Sequence, residues 1–361
     1  MRKAFLAAFL AIFVAPAARA DQDDRDRLAR YYREWFSVCP GTRVTVAEDR
    51  ELTIPGFDAY RVERHCNLKN REEQAVTLVD PARREVFVGQ VLHSDERRDQ
   101  PFAAATDFPV LAEALRGIFG TPVSLELGAG SRGALLPVRA SIRQSSEAAA
   151  SMPGFVSQDG ASLLLGEFVP LDEHPDALRE RLLSESPGVR PPKGSFTVTA
   201  FIDFQCEKCR VRTPKVRDFA WTHGGALEIR FLPLVKVHNW AFAAAEQAAA
   251  LAGVSPALYA KYEDALFPRA GGMTEKAARE LAADVAEAAG AREAYEAEIL
   301  SGRARQRVVR DIELALRLGL NGTPVFFYRG AQLTSEPDLA ESYIREKLTK
   351  ASGAARKGAT P

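Results

Sequence analysis

The segment FTVTAFIDFQCEKCR, Phe196 to Arg210, constrains the fold more than any other stretch of the chain. Phe196 to Phe204 is apolar except for Thr197, Thr199 and Asp203, which suits a central strand buried on both faces. From Cys206 to Thr222 the periodicity is helical. The chain therefore passes from a buried strand directly into a helix, and Cys206 and Cys209 stand on that helix's first turn. A thiolate at a helix N-terminus is stabilised by free backbone N–H groups and by the positive end of the dipole. Cys206 is thus the expected nucleophile, with a lowered pKa. Cys209, one turn further in, is placed to close a C-x-x-C disulfide. Lys208 favours the thiolate and Glu207 opposes it.

Two other uses of this pair are weaker. Structural zinc usually takes four ligands, and only His223 and His238 accompany this single C-x-x-C, so neither metal nor other cofactor is expected. A purely structural bridge across so short a loop would stabilise little.

The remaining cysteines are Cys39 and Cys66. The compartment decides how to read them. Arg2 and Lys3 precede an apolar run, Ala4 to Val14, and Ala18-Arg19-Ala20 is an A-x-A site, the pattern of a secretory leader cleaved after Ala20. The run is too short to span a bilayer. The expected product is a soluble periplasmic or secreted protein in an oxidising compartment. There Cys39 and Cys66 are expected to form a structural disulfide, which contributes about 3–4 kcal/mol in the loop-entropy account. A second redox pair exchanging with Cys206 and Cys209 is the sharper alternative, resting on parity alone. The 48 basic and 48 acidic residues balance, so no field for nucleic acid is expected.

At 361 residues, 46% hydrophobic and 27% charged, the chain has the composition and length of two globular domains. Residues 21–183 read as a smaller mixed α+β domain, with a helix from Asp24 to Val38 and a second from Asp107 to Phe119. Its strands include Phe57 to Cys66, Leu135 to Ile142 and hairpins around Asp80-Pro81-Ala82-Arg83 and Asp159-Gly160. No internal repeat is evident. Residues 184–195, SESPGVRPPKGS, read as a linker. Residues 196–350 run β-α-β, then Ala-rich helices from Asn239 to Leu320 interrupted at Gly253, Pro256, Gly271-Gly272 and Gly290, then β-β-α, the last helix capped by Ser335. Residues 351–361 read as a disordered tail. The tryptophans Trp35, Trp221 and Trp240 are expected in the core. His238 reads as a helix cap or surface residue, although it could line the site.

FIDFQCEKCR together with the later NGTPVFFYRG resembles the thioredoxin-fold disulfide oxidoreductases of bacterial envelopes, the DsbA/DsbG-like family. The resemblance spans Phe196 to Leu348. It implies an α/β thioredoxin-like fold with an inserted helical subdomain, opened by HNWAFAAAEQAA. It further implies Cys206 as nucleophile, Cys209 as resolving thiol, and Thr323-Pro324 as a cis-proline loop that holds substrate peptide. A proline has no N–H, which leaves the backbone of Thr323 free for a visiting strand. An ordinary turn proline after Asn321-Gly322 is the plainer reading. A weaker likeness around Val156 to Leu171 points to the DsbC/DsbG style, in which an extra domain dimerises and builds a substrate cleft. The departures are Glu207-Lys208 between the cysteines, Ala200 where relatives place a buried carboxylate, and Asn239 where they have proline.

The expected function is a thiol:disulfide oxidoreductase acting on cysteine-containing envelope proteins, with a membrane redox partner and a homodimer also anticipated. Whether it forms, reduces or isomerises disulfides depends on its potential. A redox-inactive chaperone or scaffold is the rival, and Ala200 is the feature that sustains it.

Overall fold

Valine, tyrosine and leucine at alternate positions make the N-terminal half a sheet-former. The computed structural model describes residues 17–35, 39, 41–66, 71–93, 115–116, 119–189, 194–334 and 336–357. Most of the expected leader, most of the expected helix 107–119 and Ser335 lie outside them.

Eight antiparallel strands form one sheet: β1 (Arg43–Glu48), β2 (Asp58–Cys66), β3 (Arg71–Asp80), β4 (Glu85–His93), β5 (Val123–Leu127), β6 (Leu135–Arg143), β7 (Ala149–Ser157) and β8 (Ser162–Pro170). Their order is β1-β2-β3-β4-β8-β7-β6-β5, a palindrome of two four-stranded meanders joined at β4 and β8. β2 and β6 open at Asp58 and Leu135, β4 and β8 at Glu85 and Ser162, and both pairs are separated by the same interval. In the β4/β8 ladder Gly89 lies opposite Gly166. Their φ angles are 152° and 150°. A Cβ on Gly89 would sit 2.1 Å from the Leu165 carbonyl oxygen, and one on Gly166 would sit 2.1 Å from that of Val88. The two halves of the sheet share a strand plan and a central glycine, EVFVGQVLH against SLLLGEFVP, without a repeat in their other residues.

Helix α1 (Ala17–Trp35) begins upstream of the expected cleavage site and packs Leu28, Tyr31 and Tyr32 with Tyr60 and Val62. After α2 (Pro175–Ser184) the chain reaches the second sheet, ordered β10-β9-β11-β12. Here β9 (Thr197–Ile202) and β10 (Ala226–Phe231) are parallel, and β11 (Val325–Tyr328) runs antiparallel to β9 and to β12 (Ala331–Leu333). Helix α3 (Glu207–Thr222) follows β9. Between β10 and β11 come α4 (Ala241–Val254), α5 (Pro256–Leu266), a 3-10 turn (Phe267–Gly272), α6 (Glu275–Ala288), α7 (Arg292–Leu300) and α8 (Arg303–Arg317). The Ala-rich stretch breaks at the Pro256 and Gly271-Gly272 positions flagged in the sequence. This is the thioredoxin-like α/β arrangement with a helical insertion, behind a mixed α+β N-terminal half.

The last helix, α9, spans Pro337–Lys357 and so enters the tail expected to be disordered. Alanine, lysine and arginine there favour helix. Trp221 is also corrected: it is 78% exposed, because α3 buries Cys209, Thr213, Val216, Phe219 and Ala220 on its other side. Trp240 is buried.

The halves are clasped by buried charge. Arg230 on β10 donates to Leu183 O at 2.6 Å, to Ser186 Oγ and to Asp311 Oδ1, both at 3.1 Å. Glu228 Oε1 accepts from Arg230 and from the Gly188 N–H, each at 3.1 Å. Val189 pairs with Ile229 as an isolated bridge. From α8, Arg317 reaches Glu167 at 3.0 Å, and Glu313 accepts from the Ser151 N–H at 2.9 Å.

Candidate active site

Strand β9 ends at Ile202, and the turn at Asp203 delivers Cys206 to the N-cap of α3. The cap has φ −74° and ψ 117°, an extended conformation that leads into the helix. Cys206 is half-buried and Cys209 is buried, and both are free thiols. The Cys206 sulfur lies 3.5 Å from the Thr323 carbonyl oxygen, to which the thiol can donate. The Thr323–Pro324 peptide is cis. The Thr323 hydroxyl is buried with no other hydrogen-bond partner, so it can turn to the sulfur.

The two sulfurs are displaced in opposite directions. A hydrogen bond from the Cys209 thiol is the largest effect lowering the Cys206 pKa, to about 5. The Thr323 side chain and the backbone N–H groups of Cys209 and Lys208 add to it, against a desolvation cost. Cys209 is pushed far up, first by burial and then by its contact with Cys206. One sulfur is a ready nucleophile, and the other holds its proton until the first is consumed.

Asp203 is the residue that sequence reasoning undervalued. Its backbone N–H points at Cys209 Sγ, 3.5 Å away. Its buried carboxylate turns elsewhere, accepting from the Gln205 N–H at 2.7 Å and the Leu234 N–H at 2.7 Å, with His238 Nδ1 at 2.8 Å. It is thus not the missing acid of Ala200, which is buried within β9. It ties the 232–238 loop to the cysteine turn, and His238 joins that tie. No periodic or local pattern links Asp203 to His238; only the fold brings them together.

Cys39 and Cys66 are bonded to each other, S–S 2.04 Å, and belong to the N-terminal half, where Cys66 ends β2. Glu34, His174 and Asp176 bring three candidate ligand atoms together at the surface. Asp176 is engaged by Arg179, and the trio has no fourth group from the C-x-x-C.

Residues 191–344 match the thioredoxin family. No curated protein matches the chain in sequence. Among solved structures, the thiol-disulfide exchange protein alpha-DsbA2 of Wolbachia pipientis is 16% identical, with a TM-score of 0.40 over 50% of this chain and 99% of its own. The catalytic domain of Proteus mirabilis ScsC is 18% identical, with a TM-score of 0.40 over 48% of this chain and 96% of its own. A thioredoxin-like oxidoreductase from Silicibacter pomeroyi is 24% identical, with a TM-score of 0.37 over 48% and 96%. Each likeness covers about half of this chain.

Proposed function

We propose that the chain, which carries a thioredoxin-family domain over residues 191–344, is a periplasmic thiol:disulfide oxidoreductase acting on protein cysteines. The opposite displacement of two neighbouring sulfurs at one helix N-terminus carries the reading. The Cys206 thiolate attacks one sulfur of a substrate disulfide, forming a mixed disulfide and releasing the other sulfur as thiolate. Cys209 then attacks Cys206 Sγ. Its proton passes to the leaving substrate sulfur, and the Cys206–Cys209 disulfide closes. The substrate has gained two electrons and the pair has lost two; the reverse sequence oxidises a substrate dithiol.

A depressed nucleophile pKa stabilises the reduced pair and so favours donating the disulfide. In that direction a membrane oxidant would restore the pair; as a reductase or isomerase it would need electrons from a membrane donor. Thr323 and Pro324 are assigned to hold the substrate backbone, and Cys39–Cys66 to stabilise the N-terminal half. The leader-like N-terminus is the basis for the periplasmic assignment. A homodimer that extended the eight-stranded sheet would use its outer strands β1 and β5, because β4 and β8 pair within one chain; light scattering on the secreted chain tests whether a dimer forms.

The test is turnover of a peptide disulfide with glutathione as the recycling couple. Cys206→Ser is expected to abolish it, and Cys209→Ser to accumulate the mixed disulfide. Full activity in Cys206→Ser would overturn the assignment. The rival, a redox-inactive chaperone, is favoured only by Ala200 and predicts aggregation suppression indifferent to both substitutions.

A further inference from the structure

Asp203 has a partner for every polar atom it carries. Its carbonyl accepts from the Cys206 N–H at 3.1 Å, and its own N–H points at Cys209 Sγ, 3.5 Å away. Its carboxylate accepts from the Gln205 and Leu234 N–H groups, both at 2.7 Å, and from His238 Nδ1 at 2.8 Å. Gln205 makes a second set of ties: its side chain accepts from the Trp240 N–H at 3.2 Å and donates to Asn239 Oδ1 at 3.3 Å. Residues 234–240, the lead-in to α4, are thus clipped onto the turn that presents both cysteines. One of these contacts is made by Asn239, which stands where DsbA/DsbG-like relatives have proline, a residue with no side-chain acceptor.

Cys209 is fully buried, so water does not solvate its sulfur. When Cys209 attacks Cys206 Sγ it does so as a thiolate, and that charge forms where only protein groups can stabilise it. The resemblance places a carboxylate for the Cys209 proton at position 200, and Ala200 has none. The Asp203 N–H is a donor already aimed at that sulfur. A backbone donor stabilises a forming charge best when its peptide is held in place beforehand. Here the Asp203 side chain holds its own peptide, through Leu234 and His238, and the same hold turns the carboxylate away from Cys209.

We infer that the Asp203–His238 pair positions the resolving step, by keeping the Asp203 N–H on the Cys209 sulfur while charge forms there. The inference rests on the thiol-exchange reading of the two cysteines. His238 acts through Asp203 and is a positioning residue. Cys206 is stabilised by the Cys209 thiol, the Thr323 side chain and the N–H groups of Cys209 and Lys208, and the pair supplies none of these. Losing the pair therefore slows the second step of exchange and spares the first.

The experiment mixes the reduced full chain with an aromatic disulfide, dithiobis(nitrobenzoate), in stopped flow. The Cys206 thiolate attacks one sulfur of the reagent, forms a mixed disulfide and releases one coloured thiolate. Cys209 then loses its proton to solvent and attacks Cys206 Sγ; the mixed disulfide breaks and the second coloured thiolate leaves. The two releases time the two steps separately. His238 is partly exposed, so substitutions there leave the buried Asp203 in place. His238→Leu is expected to slow the second release about tenfold, the order of one hydrogen bond to a charged group, and to leave the first unchanged. His238→Asn, whose Nδ2 takes the place of Nδ1, is expected to restore most of that rate. An unchanged second release in His238→Leu overturns the inference. So does an equal slowing of both releases, which would mark a general loosening of the turn, and so does a slowing undiminished in His238→Asn. No first release from the unmodified chain would overturn the thiol-exchange reading itself, and this inference with it.

Discussion

At the scale of single residues, the chemistry depends on which sulfur carries the charge. Cys206 is held as thiolate by the Cys209 thiol, the Thr323 side chain and helix N–H groups, and its pKa falls to about 5. In the reduced protein, alkylation of Cys206 by iodoacetamide should rise to a plateau with a midpoint near that value, with Cys209 protected. Thr323→Val should move the midpoint upward. A midpoint in the ordinary thiol range, about 8.5, would contradict the electrostatic account. The folded pKa lies below the unfolded one. This thiolate therefore stabilises the reduced fold fully above the ordinary thiol pKa of about 8.5, and the contribution is lost as pH falls through about 5. Cys206, Cys209 and the Thr323-Pro324 loop were readable because local patterns mark them: a strand-helix junction, a fixed spacing, a proline after Asn-Gly. Asp203 and His238 were not, because the tie between them is made by tertiary folding and leaves no spacing to read.

At the scale of elements, periodicity located most strands and the breaks in the helical insertion. It did not expose the matching strand order of the two halves of the first sheet, since periodicity marks which face of each strand is buried and not which strands pair. The halves meet at Gly89 and Gly166, each pressed against the other strand's backbone. Gly89→Ala and Gly166→Ala should each destabilise the fold by about 1–3 kcal/mol, through overpacking and an unfavourable φ. Thermal unfolding checks this; an unchanged midpoint for either variant would contradict the close approach. The tail beyond Leu348 shows the opposite error, in which small and basic residues read as disorder also favour helix.

At the scale of the whole molecule, the segment that reads as a linker is partly docked, and Arg230 is the residue that docks it. Removing a buried cation leaves Asp311 and Glu228 facing each other without compensation. Arg230→Met should cost about 3–5 kcal/mol in denaturant unfolding. Burial already raises the Asp311 pKa to about 6 against the pull of Arg230. An acid whose folded pKa is raised disfavours the fold once pH exceeds that pKa, and the penalty fades as pH falls towards the unfolded value of 3.8. The loss in Arg230→Met should therefore be larger at pH about 8 than at pH about 5. A loss independent of pH would mean that packing, not charge, is what Arg230 supplies.

The central claim is that Cys206 and Cys209 are a redox couple and not a structural bridge. Equilibration of the full chain in glutathione buffers, with both thiols quantified by mass spectrometry, tests it most directly. The account predicts one two-thiol transition with a midpoint between about −270 and −120 mV, the span of catalytic thioredoxin-fold couples. A midpoint below about −300 mV, where structural disulfides lie, or no closure between Cys206 and Cys209 at any poise, would contradict it.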